Sequence, residues 1–580
     1  MNNENKDQKC ITDGAATSLA RIRELVGSYS HSETDMVVEG VIEAHNGGSI
    51  NAVAAYQTLK NPSGVYSVFW ELYRVFNKAL PRLNAPVIDV MQCVMHLYAE
   101  SGNDMAAGCV LQSFIGFCEN DSERPAEGLQ EVERAGADFT VLLPSVLIAG
   151  SNLDAAHYQS EAIRLTADDR LDIRRAAIFA LGRINWADDL AVLTALESCV
   201  GEEDDDALMG NVVRTGCNLL TEAQAEDSRI AVLLQQALGK GGDRTLHSSA
   251  HMLSVALDDL IHREASLAVL MSHLTNVNPE HTATVRMIDL AVKGLIARSQ
   301  RDRAFALLEA LLPKLAVGQF DEAFPGTASR LGEDVALLGS LATRWFLSGE
   351  GSLCRAIHDV IARRWERPIL LEVDNAELPE SDPVALEFVA RKAIGWLFIA
   401  PLSTASMVVS LMRLASPEDL QSFANLLHAP LLLNYPGLRE RFLKDAARNA
   451  PEPVGKAIQA ALDANAQYLE GLRGFDPLPE LQPSEAQREA QRRRIARQAS
   501  EGFERARAQS PLLSVVTQTN LLYGRRSVSF FYGPDDQPTR NEIALQSHEF
   551  GMEMPRMQKI DAFGMDYELR CFRVEQRVAS

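Results

Sequence analysis

The stretch Asp172-Ile173-Arg174-Arg175-Ala176-Ala177-Ile178-Phe179-Ala180-Leu181-Gly182 decides how the chain is read. Small alanines at 176, 177 and 180 let a neighbouring helix approach closely, while Ile173, Ile178, Phe179 and Leu181 supply bulk to bury. Asp172 stands near the helix start, where a carboxylate meets free amide donors and the positive end of the dipole. Gly182 allows another backbone to come close near the helix end. Outward from this stretch, Ala155 to Ala167 reads as a preceding helix, Asp168-Asp169-Arg170 as a tight link and Leu171 to Ile184 as the second helix of the pair.

Further out, Val213-Arg214, Leu246-His247 and Val285-Arg286 occupy comparable slots. The steps from Arg174 to Arg214, His247 and Arg286 are 40, 33 and 39 residues, near the ~40-residue period of two-helix arrays. On these residues the chain resembles the HEAT-repeat (armadillo-like) family of α-solenoids. The family's second-helix pattern falls on Asp172, Ile173, Arg174, Ala177, Ala180, Leu181 and Gly182, and the match is clear over residues 152–184 and fainter elsewhere. The resemblance implies an all-α fold of stacked antiparallel helix pairs, whose long surface holds other macromolecules.

Composition agrees with a folded, helix-rich chain. Of 580 residues 46% are hydrophobic and only 6% aromatic, which suits close-packed helices better than β-sandwiches. The formal charge of −22 excludes a chain that coats nucleic acid with its whole surface, because phosphate repels it. Eight scattered cysteines without a Cys-x-x-Cys pair point to free thiols in a reducing compartment. The polar start Met1 to Asp7 carries no apolar signal core, so the expected location is cytoplasmic.

Gly395 to Met412 contains no charged residue and approaches the roughly 18-residue length of a membrane span. Pro401 interrupts it, however, so two buried helices joined by a short turn are expected and no membrane partner. Along the chain, residues 1–16 read as disordered and 17–150 as an N-terminal helical region. HEAT-like repeats are expected over 151–316 and further helices over 317–473, with Gln319 to Leu331 as a loop. Three prolines mark a linker at 474–483. A basic helix follows at 484–510. A small β-containing tail at 511–580 is expected to use strands at Ser527–Tyr532, Glu542–Met554 and Tyr567–Val574.

Candidate chemistry is sparse. His247, His251 and His262 with Asp258 and Asp259 could suggest zinc, but there is no His-Glu-x-x-His and no nearby cysteine, so surface histidines are the simpler reading. Gly239 to Thr245 superficially resembles a phosphate cradle, but helices flank it where a P-loop needs a strand. The acidic run Glu202 to Asp206 reads as a solvated link at a helix start. No catalytic motif, cofactor site or metal site is identified, and the chain is read as a non-enzyme.

The basic helix is the remaining surface candidate. From Ser484 to Arg526 there are nine arginines and four glutamates, among them Arg488, Arg492, Arg493, Arg494, Arg497, Arg525 and Arg526, with Tyr523 beside them. Charge next to stacking surface is what single-strand binders use. The expectation is therefore a scaffold or adaptor for a protein partner. The alternative is a nucleic-acid-associated factor acting through residues 484–532.

Overall fold

Alanine- and leucine-rich segments with apolar stripes become helices when those stripes are buried against one another. That is what the computed structural model shows. It describes residues 4–27, 34–61, 68–223, 225–315, 320–363, 368–379, 382–474, 483–508, 510, 517–523, 526–532, 538–544 and 553–577. Among these the chain is mostly helical, and it divides into two compact units, residues 1–334 with 355–360 and residues 335–354 with 361–580. No helix among the described residues is long and apolar enough to cross a membrane. The uncharged run at 395–412 is the end of helix Pro383–Leu397 and the whole of helix Pro401–Met412, with Pro401 in its first turn.

In the first unit, packing follows a two-file order. Helix Leu143–Leu153 packs on Leu171–Leu181, which packs on Asp206–Thr221, then Asp243–Val255, then Thr282–Ala297, then Pro325–Glu333. A second file runs Asp189–Glu202, Asp227–Lys240, Glu264–Leu274, with Asp227–Lys240 also packed on Asp206–Thr221. Ile173, Ala177, Ile178, Ala180 and Leu181 are buried. They join an apolar core that is continuous from Leu19 to Leu270.

Hydrogen bonds between successive helices recur at a nearly constant sequence separation. Asn211 Nδ2 donates to the Arg175 carbonyl (36 residues apart), Thr215 Oγ1 to that of Ile178 (37) and Asn218 Nδ2 to that of Gly182 (36). A methyl on Gly182 would lie 2.6 Å from Thr215 Oγ1, so this close crossing depends on glycine. One step on, Asp206 and Thr245 bond across 39 residues. Asp227 and Ser266 do so across 39, and Asp289 and Thr327 across 38.

This register corrects one sequence alignment. Arg214 is not the structural counterpart of Arg174, because Asn211 lies opposite Arg175 and Arg214 falls about one turn further along. The 40-residue step overshoots the register fixed by the interhelical bonds.

Three further expectations change. Of the segment expected to be disordered at 1–16, residues 4–16 belong to helix Glu4–Gly27 and residues 1–3 lie outside the described residues; Ala15, Ser18, Leu19 and Ile22 of this helix are buried. The loop expected at Gln319 to Leu331 contains helices Phe320–Ala323 and Pro325–Glu333. The second starts there because Asp289 receives the amides of Gly326 and Thr327, a cap delivered from another helix. Residues 567–574, expected as a strand, lie in helix Ala562–Val574. Asp561 caps this helix through the Gly564 amide at 2.8 Å, which sets the helix start just ahead of the expected strand.

In the second unit, helix Ala562–Val574 packs on helix Pro383–Leu397. Fully buried Lys392 donates to the carbonyls of Arg573 and Glu575, both at 2.6 Å. Arg391 forks onto Glu575 at 2.8 Å, and Arg573 donates back to the Gly395 carbonyl. The tail is therefore fastened to the helical body of this unit and is more than a β appendix. Its sheet is a three-stranded antiparallel meander of β1 (Thr517–Tyr523), β2 (Arg526–Tyr532) and β3 (Pro538–Ala544). Most of the proline-rich linker and residues 545–552 of the expected Glu542–Met554 strand lie outside the described residues.

Candidate functional site

The residues singled out around the repeat stretch are tied into the structure. Asp172 caps no amide of its own helix and instead accepts the Thr140 hydroxyl at 2.8 Å. The helix already begins at Leu171, after Arg170, which puts Asp172 inside its first turn. Arg174 donates to the Asp168 and Asp169 carbonyls at 2.7 and 3.0 Å and to Glu203 at 2.7 Å. Arg175 forks onto Asp205 at 2.8 and 2.6 Å. The acidic run is thus only partly solvated, since Glu203, Asp205 and Asp206 all hold partners while Glu202 and Asp204 are exposed.

A cleft of about 740 Å³ opens beside Arg174 and is lined by Asp168, Asp188, Glu202 and Cys199 among others. Its one guanidinium is spent on the neighbouring backbone and Glu203, and burial pushes the Cys199 thiol up. Neither a thiolate nucleophile nor an unspent cation is on offer there. Cys217 and Cys354 are likewise buried thiols, pushed up to about 12.

A different group has no counterpart in the sequence reading. Phe179, half-buried on helix Leu171–Leu181, carries the Arg183 guanidinium 4.0 Å above its ring and that of Arg214 at 5.8 Å. The register that puts Thr215 against Ile178 brings Arg214 to this ring. His247 and His251, one turn apart on helix Asp243–Val255, complete the cluster. Burial lowers the pKa of both imidazoles and the Arg214 charge lowers it further, with His247 and Arg183 adding to the effect on His251. Burial likewise lowers Arg214 from its ordinary value, and both burial and the Arg214 charge lower Arg183.

The two guanidinium charges repel each other, and among the described residues no carboxylate pairs with either. Arg183 and Arg214 make no ion pair, unlike Arg174 and Arg175. The Arg214 Nε and the His251 Nδ1 are buried without a hydrogen-bond partner, an uncommon and costly condition. His247 Nδ1 lies 3.1 Å from the Thr284 hydroxyl. No group of three or more His, Cys, Asp or Glu among the described residues could hold a metal ion, and Asp258 instead pairs with Arg298. The sequence signal that could have found this cluster is negative. Neither Arg183 nor Arg214 has an acid three or four residues away on either side, in a chain with 78 acids.

The second candidate surface is the helix Glu485–Ala508, which buries no residue. Arg488, Arg492, Arg493, Arg494 and Arg497 are all exposed, and Arg492 and Arg493 pair only with Glu489 of their own helix, at 3.9 and 3.1 Å. Tyr523 and Arg526 face each other in the β1–β2 register, while Arg525 lies outside the described residues.

Comparison of the chain with protein-family models, with curated proteins and with solved structures found no match.

Proposed function

We propose that the chain is a non-enzymatic scaffold or adaptor, a HEAT-like α-solenoid in its first unit, which holds a protein partner on a face made by successive helices of one file. The two-file packing and the bonds recurring at 36–39 residues support the array. The observation that carries the function is the Arg183–Arg214–His247–His251 cluster. It places two cations without an ion-pair partner among the described residues, Arg183 just past helix Leu171–Leu181 and Arg214 on helix Asp206–Thr221, beside two histidines of helix Asp243–Val255 in a strongly acidic chain. An Arg214 guanidinium whose Nε is buried without a partner is costly to keep, so such a cluster is best explained by an acidic partner group that binds there. Affinity capture with wild-type and Arg183→Ala/Arg214→Ala chains tests this: a stoichiometric protein retained by the first and lost by the second is expected. Equal retention would refute the cluster as the holding surface, and no stoichiometric protein on either chain would refute the scaffold reading.

A second reading, nucleic-acid association, is favoured by one observation, the unburied arginine helix at Glu485–Ala508. It requires salt-sensitive binding that disappears when Arg492, Arg493 and Arg494 become Glu.

A further inference from the structure

Arg183 is exposed, and its guanidinium carbon lies 4.0 Å from the centre of the Phe179 ring, a cation–π contact that anchors the group while leaving N–H groups to donate. Arg214 approaches the same ring, its Nε already out of water and unpartnered. His247 and His251 add donors from the next helix. The cluster therefore presents two guanidinium forks at one ring and two imidazoles one turn apart on the next helix, with no carboxylate among them and the Thr284 hydroxyl beside His247.

A carboxylate offers two oxygens and one charge, which a single guanidinium fork satisfies. A phosphate monoester offers three terminal oxygens and close to two charges, matching both forks together. A nucleic acid fits less well, because it would bring a row of phosphates toward a chain of net charge −22.

We propose that Arg183, Arg214, His247 and His251 form a binding site for a phosphate monoester, presented by the partner as a phosphorylated side chain. This rests on reading the same face as the partner-holding surface. His247 and His251, kept neutral at pH 7 by burial and by Arg214, orient the oxygens as hydrogen-bond donors, and the two arginines supply the charge.

The test is calorimetric titration of the full chain with inorganic phosphate, with acetate and with a short oligothymidylate at matched ionic strength. One phosphate per chain is expected, with acetate weaker by on the order of tenfold or more. Arg183→Ala removes an exposed side chain without an ion pair among the described residues, so it leaves the fold intact and should weaken phosphate by about tenfold. Arg214→Lys, which keeps the charge and loses the fork, should fall between the two. Absence of phosphate binding to the wild-type chain overturns the inference. So do acetate affinity equal to phosphate, or Arg183-dependent oligothymidylate binding tighter than phosphate. Phosphate binding lost in Arg183→Ala while a captured partner stays bound overturns the phosphorylated-partner assignment and spares the scaffold reading. Arg183-dependent phosphate binding in a chain that captures no partner supports the site and counts against the scaffold reading instead.

Discussion

Asp206 reaches across 39 residues to Thr245, accepting its hydroxyl at 2.7 Å and its amide at 3.0 Å. The same carboxylate accepts the amides of Gly242 and Arg244 at 2.6 and 3.0 Å. One helix thereby caps the start of the next helix in its file. Asp227 does this for Ala265 and Ser266, and Asp289 for Gly326 and Thr327. A cap delivered from the neighbouring helix couples local helix formation to the packing order, which an ordinary N-cap does not.

Asp206→Ala should therefore loosen a helix to which Asp206 does not belong. The lost cap costs about 1–2 kcal/mol. Amides at the start of helix Asp243–Val255 should exchange hydrogen about tenfold faster or more, with little change at 171–181. Uniform change across the unit would contradict the local role.

Arg174→Ala removes three hydrogen bonds, two of them to the carbonyls of the 168–169 link. A loss of about 1–3 kcal/mol is expected from an unfolding titration that follows the first unit. Lys78→Ala, which breaks the exposed Lys78–Asp35 pair, should cost far less, because water screens that pair.

Acid should weaken the first unit in a defined direction. The Arg175 guanidinium holds the Asp205 carboxyl below its usual value. Burial pushes the Asp206 carboxyl up, but the Thr245 hydroxyl and the three amides outweigh that and hold it down. The unfolded chain then takes up protons first as pH falls, so the stability these groups confer is full above the ordinary aspartate value and is lost progressively below about pH 4. Asp206→Asn should flatten that fall between about pH 4 and pH 2. A wild-type denaturation midpoint that rises through this window would contradict the assignment.

Lys392→Met strips the Arg573 and Glu575 carbonyls of their buried donor, at a cost of about 1–3 kcal/mol. Limited trypsin digestion should then cut at Arg570, Arg573 or Arg577 well before the wild-type chain is cut there. An unchanged digestion pattern would show that the clasp does not depend on Lys392.

Much of the helical architecture was legible in the sequence because it is written in local pattern. Ala176, Ala177 and Ala180 between Ile173 and Leu181 admit little besides a close-packed helix, and helix Leu171–Leu181 follows. The errors arise where a distant residue decides. Tyr567, Leu569 and Cys571 mimic strand alternation, but the Asp561 cap and packing on helix Pro383–Leu397 make the segment helical. Helix Pro325–Glu333 depends on Asp289, 37 residues upstream of Gly326. The cation cluster was illegible as a motif for the same reason. Arg183, Arg214 and His251 meet only because the interhelical register is 36–39 residues, whereas the sequence alignment had paired Arg214 with Arg174.

The central claim is that the uncompensated cations at Arg183 and Arg214 hold a partner. Its most direct measurement is quantitative capture of protein from the native host with wild-type and Arg183→Ala/Arg214→Ala chains, at equal loading and with matched thermal stability. The account predicts one stoichiometric protein on the wild-type chain, reduced by about tenfold or more on the double variant. The same protein bound equally by both chains, or no stoichiometric protein on either, would contradict it.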